Sequence, residues 1–181
     1  MKFYRGEISS LIIASLVLTL AFSILFVGLS ITALVAMPIV FAIIVPAFIF
    51  HELAHKAVAQ HYGIHAGFVT YKLGLVLALV SSFFGFIFAA PGAVMMSGFK
   101  RPSKRELLHI AAAGPLSNII MAVLALPFIA NPVAYMFFSI NAILALFNLI
   151  PFGPLDGFKI FHTNKIAWTM MVITAFILYI L

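Results

Sequence analysis

The sequence predicts an all-α polytopic membrane protein of about five transmembrane helices, with a membrane-dipping β-hairpin or re-entrant element between the second and third. Three observations carry this. Of 181 residues, 65% are hydrophobic and 8% charged, and the mean hydropathy is +1.26. A soluble domain carries roughly 25% charged residues to solvate its surface. The apolar residues run continuously rather than alternating, which selects helices over a barrel, the two structures that satisfy every backbone group in lipid. The few cations lie at the ends of the apolar runs, where loops anchor a polytopic protein. The same placement accounts for the net charge of +6 without any nucleic-acid partner; the partner it implies is the lipid bilayer. Cysteine is absent, so any metal has to be held by His, Asp, Glu or backbone oxygen.

The elements follow in order. The apolar run after MKFYRGEISS outlasts a signal-peptide core and holds no small-residue cleavage site, so it reads as a retained first span. From Ser9 to Phe50 there is no charge. At about 1.5 Å per residue this run holds two crossings, with a break near Gly28-Leu29-Ser30. The expected spans are 8–28 and 32–62. Three more cover 106–129, 133–150 and 165–181, with Asn131-Pro132 and Pro151-Phe152-Gly153-Pro154 as turns. The whole of 1–181 reads as one membrane-embedded domain with its core at 32–160.

The segment 65–99 is ambiguous, because 27 uncharged residues lie between Lys72 and Lys100. Charge placement decides it. With Lys2 and Arg5 cytoplasmic and no crossing at 73–96, Lys56, Lys72, Lys100, Arg101, Lys104, Arg105, Lys159 and Lys165 all fall near one side. An added crossing would put part of the Lys104–Arg105 cluster on the wrong side. Gly74, Ser81-Ser82, Gly85 and Pro91-Gly92 also suit a hairpin, which survives at membrane depth when buried in protein or lining a cavity. The expected topology is N-terminus inside and C-terminus outside.

Only four acids are present: Glu7, Glu52, Glu106 and Asp156. Glu7 and Glu106 flank spans and read as interface residues. Glu52 and Asp156 sit where charge is expensive, and an ionisable group at membrane depth is a functional candidate. Glu52 lies in His51-Glu52-Leu53-Ala54-His55, an HExxH pattern. On a helix the two histidines, four residues apart, project from one face and can grip one metal ion. Glu52 sits beside them and can take a proton from water on the metal and hand it to a leaving amine.

A catalytic zinc usually has three protein ligands and an open position. The candidates for the third are His61, His65, His109, His162, Glu106 and Asp156. The four histidines read as exposed or interfacial polar residues. Asp156 is preferred: Pro154-Leu155-Asp156-Gly157 follows a span that returns to the side of His51 and His55, and Pro and Gly there turn the chain back toward the bundle.

Three segments then resemble the site-2 protease family of intramembrane zinc metalloproteases: Phe50-His51-Glu52-Leu53-Ala54-His55; Ala113-Gly114-Pro115-Leu116-Ser117-Asn118; and Phe147-Asn148-Leu149-Ile150-Pro151 through Pro154-Leu155-Asp156-Gly157. The resemblance implies that His51, His55 and Asp156 bind one Zn2+, that Glu52 is the general base, and that Asn148 holds the substrate backbone or the oxyanion. Asn118 reads as structural. Phe158 stands where a second glycine is common, and no PDZ-like insertion is found. The implied activity is hydrolysis of peptide bonds in transmembrane protein substrates, in a prokaryotic cell membrane, with the active site toward the cytoplasm. A metal transporter is the first rival, but it needs a path to both faces and usually repeated broken helices. The second, a non-catalytic metal-binding relative, is disfavoured by the intact Glu52.

Overall fold

The uncharged run from Ser9 to Phe50 folds as two helices, α1 (Glu7–Val27) and α2 (Ile31–His61). They are parted at Gly28, whose φ of 74° is the left-handed conformation glycine adopts freely. The computed structural model describes residues 1–87 and 90–181. After α2 come strand β1 (His65–Thr70), α3 (Lys72–Ser82), β2 (Gly92–Ser97), α4 (Lys104–Ala125), a 3-10 turn (Leu126–Phe128), α5 (Pro132–Asn148), α6 (Asp156–Thr163) and α7 (Lys165–Ile180).

Among the described residues three helical stretches are long and apolar enough to cross a membrane: α1, α2 and Lys104–Phe128. Large apolar side chains such as Ile12, Leu34, Leu124 and Ile173 remain exposed on their helices, a surface that suits lipid and marks a membrane protein. Five crossings were expected. The other two candidates, α5 and α7, have 17 and 16 residues, and at about 1.5 Å per residue they stop short of a hydrocarbon core of about 30 Å. Sharp local signals set the other boundaries. Ser103 and Glu106 close a capping box on α4. Asn131 caps α5 by accepting from the Val133 and Ala134 N–H groups, with Pro132 in the first turn.

The segment expected as a hairpin or re-entrant element is two paired strands with a helix between them. The 71 N–H donates to the Pro91 carbonyl at one end, and Gly98 approaches His65 at the other, which is the register of an antiparallel pair. The residues between the strands are apolar and continuous over Leu73–Val80, a run with no period of two, so they coil as α3 rather than extend the strands.

The chain divides into two compact units. In the one formed by residues 2–49 and 67–95, α1 packs on α3. A Cβ at Gly74 would overlap the Ala90 carbonyl, so glycine permits the close approach of that carbonyl to α3. Glu7 at the head of α1 is buried within the protein. Its carboxylate accepts from the backbone N–H of Tyr4 and of Phe68, both at 3.0 Å. It ties the start of α1 to β1, and this satisfies donors that apolar surroundings would leave costly.

The other unit comprises Met1 with residues 50–66 and 96–181. Its core joins α4, α5, α6 and α7 through Ala111, Ala122, Ala142, Ala145 and Ala175, with Phe138, Leu149 and Ile160 filling between them. Small residues let helix backbones approach closely where no hydrophobic drive separates them from lipid. Trp168 of α7 donates its ring N–H to the Leu149 carbonyl at 2.7 Å, which fixes the C-terminal end of α5. Lys56, placed by the sequence near the cytoplasmic end of the second span, is fully buried.

Candidate metal centre

His51 and His55 lie one turn apart on α2, and their rings meet edge to face with centroids 4.7 Å apart. Both turn Nε2 to the same point, 3.1 Å from each other. Asp156 brings Oδ2 to that point, 2.9 Å from His55 Nε2 and 3.4 Å from His51 Nε2. All three side chains are buried, and together they are a group able to hold a metal ion.

The geometry passes a test of fit. Ligand atoms about 2.0–2.2 Å from a tetrahedral zinc stand roughly 3.3 Å from one another. The three measured separations, 2.9, 3.1 and 3.4 Å, bracket that value. Two imidazole nitrogens and one carboxylate oxygen also form a ligand set of catalytic zinc sites, with a fourth position open.

The supports of each ligand are visible. Asp156 is the first residue of α6 rather than a loop residue, and Leu155 before it is extended. Gly157 makes this possible, because a Cβ there would stand 2.6 Å from the Ile150 carbonyl and closer to that of Leu149. The Asp156 carboxylate is divided between partners: Lys159 Nζ donates to Oδ1 at 3.2 Å, leaving Oδ2 to the histidines. Burial opposes its ionisation, but the neighbouring His55 and His51 rings outweigh that and hold the carboxyl below the usual carboxylate range.

His55 donates from Nδ1 to the Ile110 carbonyl at 2.6 Å, and His51 donates from Nδ1 to Asn118 Oδ1 at 2.6 Å. A ligating histidine is held in this way through its other ring nitrogen, which fixes both tautomer and direction. Gly114 of α4 faces the same point. A Cβ on it would stand 2.6 Å from His51 Nε2 and nearer still to His55 Nε2. The missing side chain is therefore the space in which the two nitrogens converge.

The other candidates are placed apart. His61, His65 and His162 are exposed. His109 is exposed and hydrogen-bonded to the Tyr62 hydroxyl. Glu106 caps α4 and pairs with Lys100 at 3.0 Å. Glu52 is buried beside His51. Asn148, half-buried at the last turn of α5, donates one amide proton to the Leu144 carbonyl at 2.9 Å. Its second amide proton and its oxygen are not committed by that bond.

Sequence reasoning missed the parts played by Gly114, Asn118 and Asn141. A signal existed for the first two: Gly114 and Asn118 are four residues apart and so share a helix face. Asn141 is an amide within a long apolar run, which in a membrane helix seeks a partner on another helix.

No protein-family model and no solved structure matches the chain. Curated relatives do. The chain is 37% identical over 134 residues to "Putative zinc metalloprotease MJ0611" of Methanocaldococcus jannaschii, covering 68% of this chain and 69% of that protein. It is 33% identical over 152 residues to "Putative zinc metalloprotease YwhC" of Bacillus subtilis, covering 68% of each. A third relative, "Zinc metalloprotease MJ0392" of M. jannaschii, is 31% identical over 148 residues, 77% of this chain and 38% of that protein. With likeness of that degree across two thirds of both chains, and with a buried His-His-Asp group able to hold a metal ion, the chain belongs to the site-2-protease-like family of zinc metalloproteases.

Proposed function

We propose that the protein is an intramembrane zinc metalloendopeptidase that hydrolyses peptide bonds of transmembrane protein substrates. The observation that carries the reading is the buried convergence of His51 Nε2, His55 Nε2 and Asp156 Oδ2, with Glu52 buried beside it, in a chain of apolar helices. His51, His55 and Asp156 hold one Zn2+. Zinc held there supplies Lewis acidity, which acidifies water and polarises a carbonyl.

The remaining work falls to side chains. Water adds to the scissile carbonyl carbon and the carbon–nitrogen bond breaks. Glu52 takes the proton from the attacking water and delivers it to the departing nitrogen. Asn148 donates an amide proton to the carbonyl oxygen as charge develops there. A substrate helix reaches the site laterally through the bilayer. Its backbone bonds are internal, so it unwinds locally before hydrolysis, and small or helix-breaking residues lower that barrier.

The proposed topology has five crossings, with α5 and α7 crossing where the bilayer is locally thinned. The N-terminus and the metal centre face the cytoplasmic side of a prokaryotic cell membrane. The basic residues at span ends support this orientation.

The test pairs zinc content of the detergent-purified protein with cleavage of a transmembrane substrate, for wild type and Glu52→Gln. About one zinc per chain in both, with cleavage in the wild type alone, is expected. Zinc without cleavage in the wild type would favour the non-catalytic reading. A wild type that binds no zinc would sink the centre.

A further inference from the structure

The chain carries ten cations and four acids, and the acids are all committed inside the protein. Glu7 accepts from the Tyr4 and Phe68 N–H groups, and Glu52 is buried beside His51. Asp156 faces the two histidines and Lys159. Glu106 accepts from Lys100 Nζ on Oε1 at 3.0 Å and from the Ser103 N–H on Oε2 at 2.8 Å. Lys100 also donates to the Tyr62 carbonyl, so its ammonium is tied to the end of α2.

Three neighbouring cations have no such partner. Arg101, Lys104 and Arg105 are exposed, and among the described residues no hydrogen bond or ion pair engages their side chains. They belong to Lys100-Arg101-Pro102-Ser103-Lys104-Arg105, at the head of the apolar stretch Lys104–Phe128. The capping box closes the first turn of α4 with Ser103 and Glu106, so these three cations are not needed to hold the helix end. Gly98, with a φ of 104°, turns the chain out of β2. Phe99, next in sequence, is 110% exposed, so no part of the protein covers its ring.

We infer that Phe99, Arg101, Lys104 and Arg105 form a binding surface for the headgroups of anionic phospholipids. Position selects this ligand. A span that begins at Lys104 puts these residues at the level of the lipid phosphates, where a dense run of Lys and Arg beside a membrane helix recognises anionic lipid. Arg meets a phosphate with a fork of N–H donors, and Lys reaches it as a point charge on a flexible stem. An aromatic ring beside such cations lodges at the boundary of headgroups and acyl chains, whereas in water the bared ring is a cost. An acidic protein segment would satisfy the cations but leave the ring unaccounted for. The surface lies outside the metal centre, although α4 carries supports of both histidines further along. Headgroups bound here seat α4 at a fixed depth, and the inference stands whether or not zinc is held.

The test is native mass spectrometry of the purified full chain in detergent, titrated with phosphatidylglycerol or with phosphatidylcholine. The wild type is compared with Arg101→Gln/Lys104→Gln/Arg105→Gln. A control removes the same charge from other exposed positions, as Arg5→Gln/Lys72→Gln/Lys165→Gln. Each cation near an anionic lipid contributes about fivefold in affinity. Phosphatidylglycerol should therefore bind wild type and control alike, and the first variant about 100-fold more weakly. Phosphatidylcholine binding and zinc content should be the same in all three. Equal weakening in the two triple variants would reduce the effect to net charge and overturn the inference. Displacement of phosphatidylglycerol by polyglutamate or by inorganic phosphate at equal concentration would also overturn it, assigning the patch to an acidic protein or a free anion. Arg101 precedes α4, so Arg101→Gln alone leaves the helix intact and should cost about fivefold; unchanged binding there would refute the cation's part. Phe99→Ser should weaken both lipids, whose acyl chains the ring meets alike, and full binding in that variant would overturn the commitment to a bilayer.

Discussion

Gly114→Ala is the substitution that most directly tests whether the centre is built by the approach of α4 to α2. The added methyl carbon would stand 2.6 Å from His51 Nε2, about 0.8 Å inside the 3.4 Å at which ordinary contact begins, and it would press harder on His55 Nε2. Relief requires both rings to rotate away or the two helices to part. Metal–ligand distances tolerate only about 0.2 Å, so a displacement of this size removes at least one ligand. Zinc affinity should therefore fall by more than about 100-fold, beyond the range seen for groups that merely orient ligands. Propensity works the other way: alanine in a helix interior is favoured over glycine by about 0.8–1.0 kcal/mol. The metal-free variant should accordingly keep its helical circular dichroism and a melting temperature near that of metal-free wild type. Chelator competition and thermal unfolding, run on the same preparation, separate the two effects. Wild-type zinc affinity in Gly114→Ala would refute the convergence of the two nitrogens on that glycine.

Other predictions follow from the same contacts. Asp156→Ala removes the only carboxylate in the ligand group and should lose both zinc and cleavage, while the chain stays folded, because Lys159, 41% exposed, is solvated without its 3.2 Å partner; zinc analysis by mass spectrometry reads this. Gly157→Ala forces a Cβ into the Leu149 and Ile150 carbonyls, so it should pull Asp156 out of register and weaken zinc by at least about 10-fold, measured by chelator competition. Glu7→Ala takes from the buried Phe68 N–H the carboxylate to which it donates. It should destabilise by about 1–3 kcal/mol, the cost of one unsatisfied buried donor, with zinc affinity unchanged; denaturant unfolding in detergent tests the first and chelator competition the second.

What the sequence made legible is local. Two histidines at i and i+4 on an apolar helix are a pattern that one helix completes alone, and α2 presents them as expected from spacing. The turn at Asn131-Pro132 and the capping box at Ser103 are likewise closed within a few residues. The features that the sequence does not disclose all need a second element. Glu7 looks interfacial from its position at the head of a span, yet two backbone donors, one of them 61 residues away, bury it. Asn118 reads from sequence as structural, but what it holds is visible only once a histidine from α2 is found at its oxygen and an amide from α5 at its nitrogen. Gly114 offers only its spacing to Asn118 and a missing side chain, and that gap has meaning only once the neighbours that fill it are known.

The distinction has a physical basis that bears on the mechanism. Each ligand is held from a different direction: His55 by a carbonyl of α4, His51 by Asn118 of α4, itself bonded to Asn141 of α5, and Asp156 by Lys159 together with a glycine set against the end of α5. Because α4 contributes to both histidines and α5 to the supports of His51 and Asp156, a shift between these helices would move ligands and supports together rather than one at a time. Buried polar chains are costly when half satisfied and rigid when complete. The alanine-rich packing of α4 against α5 is what keeps this one complete, so the core that a sequence reader treats as filler is part of what aims the metal ligands.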